Sequence, residues 1–240
     1  MVVIADLRPG PKARVPEIRN AYRYLRGAHE SVSGIFDVVQ SMSQARREAN
    51  ANAQGRMAKE EVDLLRAAIV FTSSGLDASM KRLINDAGRY LIPRETGARG
   101  QYVAFLNQEM KSSQPDASMR DAVLSADPAG GLMDYYLGAR AKASFQGSGD
   151  LEKRVRNCLG IAAERVPLER LKSLDEFFTV RNSIVHNMDY QDIEISIRTR
   201  RIHRSNDETA RLCNLTFEIA ADILHAAAEV VIASRTPVAH

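Results

Sequence analysis

The chain has 240 residues, 45% of them hydrophobic, and a formal net charge of +3. That length and apolar content suit a single buried core, and no run of about 18 uncharged apolar residues is present to cross a membrane. So small a basic surplus excludes a nucleic-acid binder defined by bulk charge, leaving only a local patch to do that work. The start, Met1-Val2-Val3-Ile4-Ala5-Asp6, lacks a basic n-region and a long apolar segment, so no signal peptide and a cytoplasmic location are expected. Cys158 and Cys213 have no CxxC spacing and no companion His cluster, and are expected as buried free thiols.

The expected architecture is all-α, one domain over 1–240. After the turn Arg8-Pro9-Gly10-Pro11, Pro16 suits the first position of a helix running to about Asn50. A second helix is expected from about Met57 to Ile92, where Val62, Leu65, Ile69, Leu76, Met80, Leu83 and Leu91 recur at three- and four-residue steps and Pro93 stops it. Two such helices, nearly adjacent, predict a long antiparallel hairpin. Residues 94–150 are less regular and read as a helical elaboration, with short helices at Tyr102–Met110, Ala117–Ser125 and Met133–Ala143. A helix from Leu151 to about Glu164 follows the loop at 146–150, and Pro167 opens another that ends near Asn187. Ile193, Ile195 and Ile197 alternate with Glu194, Ser196 and Arg198, which predicts one short strand or hairpin near 192–202. Its partner is either Val2-Val3-Ile4 or a second chain. Ser205 and Glu208 have capping-box spacing and begin the last helix, with Leu212, Leu215, Ile219, Ile223 and Val230 as its core stripe.

The chemistry concentrates in Phe177–Asn187. At about 100° per residue, Leu174, Phe177, Phe178, Val180, Ile184 and Val185 share a broad apolar face. Arg181 falls inside that face, where a guanidinium is costly without a partner. Asn182 and His186, four residues apart, stack along its edge. A buried carboxylate, or a phosphate at a cleft, would answer the charge of Arg181. The bare Arg-to-His spacing also occurs at Arg23–His29, Arg198–His203 and Arg235–His240, but only Arg181–His186 carries the Asn on a helix.

Arg181-Asn182-Ser183-Ile184-Val185-His186-Asn187 resembles the RNxxxH form of the HEPN signature. The stretch Ser144–Leu151 followed by Leu159-Gly160-Ile161, and the helix from Leu64 through Asp77, resemble the corresponding parts of RiboL-PSP-HEPN-like members. Where some HEPN toxins carry a Tyr two residues after the His, this chain has Met188, and the nearest Tyr is Tyr190. The resemblance implies a HEPN-type helical bundle and a metal-independent endoribonuclease of toxin–antitoxin or phage-defence type. It also implies a homodimer, RNA as substrate, and an antitoxin or defence-system partner.

In that chemistry a 2′-hydroxyl attacks the adjacent phosphate, so neither metal nor cofactor is needed. A histidine titrates near neutrality, so His186 would serve as base or acid. Arg181 would hold the phosphate and Asn182 would orient it or His186. Asp77 is a supporting candidate, either toward Arg181 or in a local pair with Lys81. Arg198, Arg200, Arg201 and Arg204 form the one dense basic cluster, readable as an RNA-binding patch or as a charged edge strand. The competing expectation is a non-catalytic HEPN module that binds RNA, nucleotide or a protein partner.

Overall fold

The computed structural model describes residues 3–11, 15–49, 57–94, 96–112, 114, 116–190 and 201–235. It is all-α. Helix α1 (Pro16–Ala49) and helix α2 (Lys59–Leu91) are the predicted hairpin. Their antiparallel sense shows in the order of contacts: Ser43 Oγ donates to Glu61 Oε1 at 3.0 Å, Ser79 Oγ to the Ala21 carbonyl at 2.8 Å, and Asn20 Nδ2 to Asp86 Oδ2 at 3.3 Å. Helix α2 is the axis of the molecule. Its Leu65, Ile69, Leu76, Met80, Leu83 and Ile84 are all buried, and it packs against helices on several sides.

The elaboration after Pro93 holds α3 (Gly97–Met110), α4 (Ala117–Val123) and α5 (Pro128–Ala141). Each begins on a side chain that accepts an otherwise orphaned amide: Thr96 from Arg99, Asp116 from Ser118 and Asp127 from Gly130. The expected helix over 151–164 is shorter. A single turn, α6 (Ser148–Leu151), passes into a π-helical stretch (Glu152–Arg156) and stops. Gly160 explains the stop. Its φ is +65°, and a Cβ there would stand 2.7 Å from the Ala98 amide nitrogen, so the chain turns where α3 begins.

The helix expected from Pro167 to Asn187 is two helices, α7 (Leu168–Lys172) and α8 (Asp175–Asn187). Leu174 donates to the Leu171 carbonyl at 3.0 Å in a tightened turn, and Ser173 Oγ takes the Arg170 carbonyl at 2.7 Å. Helix α9 (Asn206–Ala233) starts on Ser205, whose Oγ accepts from the Glu208 amide at 3.2 Å. Its Leu212, Ile219 and Ile223 are buried, and α9 packs on α1, α2 and α8.

The predicted strand, Ile193–Ile197, lies outside the described residues. An antiparallel bridge joins Tyr190 to Arg201 on either side of it. Of its candidate partners, Ile4 is buried, and the next amide, Ala5, donates to Asn214 Oδ1 at 2.9 Å on α9. Both cysteines are buried and free, and burial pushes the Cys213 thiol up to about 12 despite a hydrogen bond with Thr72. No helix among the described residues is long and apolar enough to cross a membrane.

The α1–α2 seam makes a sharp prediction. A Cβ on Gly75 would stand 2.1 Å from Ala28 Cβ, a methyl that cannot rotate away. Helix propensity alone would make Gly75→Ala stabilising by about 1 kcal/mol. The overlap should reverse the sign, destabilising the fold by roughly 1–3 kcal/mol in urea unfolding, and Ala28→Gly in the same chain should recover part of the loss. A stabilised Gly75→Ala variant would mean that the helices are not this close.

Candidate functional site

Helix α8 turns Phe177, Phe178, Val180, Arg181 and Ile184 into the interior. Arg181 is only 6% exposed, as its place in the apolar face demands, but no carboxylate answers it among the described residues. Its partners are neutral. Nε donates to Ser73 Oγ on α2 at 2.9 Å, and one terminal nitrogen donates to the Phe145 carbonyl at 3.0 Å. The other divides between Gln146 Oε1 at 3.1 Å and Asn182 Oδ1 at 2.8 Å. The guanidinium is thus well hydrogen-bonded to neutral oxygens and makes no ion pair among the described residues.

Those bonds belong to a larger clamp on the loop at 144–148. The Phe145 amide donates to Asp77 Oδ1 at 3.1 Å, the Gln146 amide to Asp150 Oδ2 at 2.8 Å and the Ser148 amide to Asp175 Oδ1 at 3.1 Å. Arg154 donates to the Ser144 carbonyl at 3.2 Å and stacks over the buried Phe145 ring. Asp77 and Arg181 therefore hold the two sides of one residue, Phe145, and not each other. The ion pair of Asp77 is the local one, with Lys81 at 2.6 Å.

The outer edge of α8 is different. Asn182 is half-buried, and His186 is exposed with no hydrogen-bond partner among the described residues. Val185, expected on the apolar face, is 49% exposed, and Met188 is 60% exposed, so His186 sits between two solvent-facing apolar side chains. The middle of the helix and its final turn thus differ: buried charge inside, accessible imidazole outside.

A second charged centre closes the helix. Met188 and Asp189 adopt left-handed φ values of 50° and 61°, which end α8 and turn Asp189 inward to complete burial. Its carboxylate accepts from Arg66 Nε at 3.1 Å, from Arg204 at 2.9 and 2.7 Å, and from Ser183 Oγ at 3.0 Å. Burial pushes this carboxyl up, but the bonds from Arg204, Arg66 and Ser183 outweigh it and hold it below the ordinary carboxylate range. Arg201 donates to the Met188 carbonyl at 2.9 Å and to Asp63 at 2.6 Å. So Arg201 and Arg204 close the 190–201 excursion onto α2 and α8, and neither is free for a phosphate. Arg198 and Arg200 lie outside the described residues.

Sequence reasoning found Arg181, Asn182, His186 and Asp77, and missed Ser73, Gln146, Arg66 and Asp189. Asp189 left one signal: a short acidic residue three positions past the motif, tolerant of positive φ. No group of three or more metal-ligating side chains gathers among the described residues. No family model, curated protein or solved structure matches this chain.

Asp189→Asn should remove the buried acid that Arg66 and Arg204 share, leaving them only the outer partners Asp63 at 2.7 Å and Glu208 at 3.5 Å, at a cost of roughly 3 kcal/mol. The pH dependence has a definite sign. A depressed carboxyl stabilises the fold above the unfolded value of 3.8, and that stabilisation is lost as pH falls through the lower folded value. Urea unfolding should show this acid limb in the wild type and a flatter one in Asp189→Asn; identical profiles would remove the charge from the account.

Proposed function

We propose that the chain is a HEPN-type endoribonuclease that cleaves RNA without a metal, with the site on α8. The observation that supports it is the Arg181 charge, buried beneath Asn182 with no ion pair among the described residues, on the helix that presents an unpartnered His186. A buried cation without an ion pair favours an anion beside it. A phosphodiester seated over Asn182 would supply that anion and lie against the exposed turn.

The chemistry follows from the groups. The RNA 2′-oxygen attacks the adjacent phosphorus, its proton passing to a base, and the P–O5′ bond breaks as the 5′-oxygen takes a proton. The product end is a 2′,3′-cyclic phosphate. His186 can accept the first proton or supply the second. Arg181 acts through its field and by holding Gln146 and Asn182 in place, and Asn182 offers its amide to the phosphate. One imidazole per chain invites a second chain. The apolar Val185 and Met188 flanking His186 favour a two-fold pairing of α8 with its copy, which would supply both base and acid. A toxin or phage-defence role, with an antitoxin or defence-system partner, extends the same reading.

The second reading is a HEPN module that binds RNA, nucleotide or a protein without cleaving. It is favoured by the saturation of Arg181, whose donors already serve four acceptors, and by the lack of any group orienting His186.

Incubation with RNA separates the two. Cleavage should persist in EDTA, yield 2′,3′-cyclic ends, and fall by at least about 100-fold in His186→Ala, with an unchanged melting curve because the side chain is exposed. Full activity in His186→Ala would take the imidazole out of the chemistry. Sedimentation should show a dimer at micromolar protein, and a strict monomer would end the composite-site idea.

A further inference from the structure

Along α1 and the second half of α2, past the Ser73 contact with α8, the cations behave differently. Arg19 and Arg23 are exposed on α1 and make no hydrogen bond or ion pair among the described residues. Nearby, Arg82, Arg89 and Lys81 on α2 are each tied to one acid: Asp86 at 2.7 Å, Asp134 at 2.6 Å and Asp77 at 2.6 Å. The two unpaired arginines leave this surface with a local positive excess that the overall charge of +3 conceals.

Three depressions run together here. The first lies along Arg19 and Arg23; the second is bounded by Arg23, Tyr24 and Arg82. The third, about 450 Å³, is bounded by Tyr24, Arg82, Lys81 and Arg89. Arg23 borders the first two and Tyr24 and Arg82 the last two, so the three adjoin in a row that forms the furrow. Tyr24 stands at its middle, 53% exposed.

The furrow has a direction. Along α2, Lys81 lines it, Asp77 one turn back grips the Phe145 amide, and Ser73 one turn further accepts from Arg181. Eight residues of helix span about 12 Å. The Lys81 end therefore abuts the clamped loop that carries Gln146 to Arg181.

We propose that this furrow is a binding track for single-stranded RNA, delivering the strand toward Asn182 and His186. Its direction rests on the ribonuclease reading. Unpaired arginines match phosphates bidentately, and a half-exposed tyrosine next along the furrow supplies a flat face on which any base can stack.

The test is fluorescence anisotropy with labelled oligouridylate whose 2′-oxygens are methylated, so that binding is read apart from cleavage. Arg19→Ser with Arg23→Ser should weaken binding at least about tenfold and lower the slope of log affinity against log salt by about 1.4, or 0.7 per lost phosphate contact. Tyr24→Ala should weaken it at least about fivefold, and Arg99→Ser, exposed on α3, should do nothing. Unchanged affinity in the double variant or in Tyr24→Ala overturns the track, as does displacement of the RNA by an equal concentration of polyglutamate. The two readings fail separately. Binding that depends on these residues without any RNA cleavage by the wild type removes the ribonuclease and keeps the track. Cleavage with undiminished binding in the double variant does the reverse.

Discussion

A guanidinium buried in an apolar helix face without a carboxylate constrains much of what surrounds it. Arg181 needs acceptors on several sides, and the chain supplies them from three places: Ser73 on α2, Phe145 and Gln146 in the preceding loop, and Asn182 beside it. Each supplier is itself fixed by other bonds, above all the loop, whose amides end on Asp77, Asp150 and Asp175. The nearby acids hold the loop and not Arg181 itself, so neutral oxygens line the guanidinium and the carboxylates stand one layer out.

The C-terminal end of α8 follows the opposite rule. Asp189 is buried completely, yet two arginines and a hydroxyl meet it, and the electrostatics close locally. One helix therefore carries an ion-paired charge at its end and one without an ion pair in its middle, with His186 exposed between them. Asp189 sets how α8 ends, three residues beyond His186, though it lies outside the motif.

Much of this was legible in the sequence because periodicity and punctuation agree. Pro16, Pro93 and the Ser205–Glu208 spacing mark real helix ends, and the apolar steps of α2 identify its buried face. The burial of Arg181 followed from its place among Phe177, Val180 and Ile184. Most of the errors trace to long-range contact. Gly160 stops a helix because α3 begins against it, whereas the break before α8 is a local turn closed by Leu174 and Ser173. Asp77 was equally suited to Arg181 or Lys81 by spacing, and only the path of the loop decided for Lys81. The basic run near 200 read as a surface patch, yet Arg204 is buried on Asp189, because pattern shows charge and not its partner. Conversely, Arg19 and Arg23 look unremarkable in sequence, and only the depression that both line, between α1 and the segment before it, brings them together.

The central claim is that the Arg181 charge seats a phosphate beside His186. The direct measurement is a proton NMR titration of the five histidine imidazoles with an RNA dinucleotide carrying a 2′-deoxy sugar at the scissile position. The expected result is a saturable shift of the His186 resonances, with His225 and His29 undisturbed on the far side, and loss of that shift when Arg181 is replaced by Met, provided the variant stays folded. Unmoved His186 resonances at saturating dinucleotide, or the same shift in folded Arg181→Met, would contradict it.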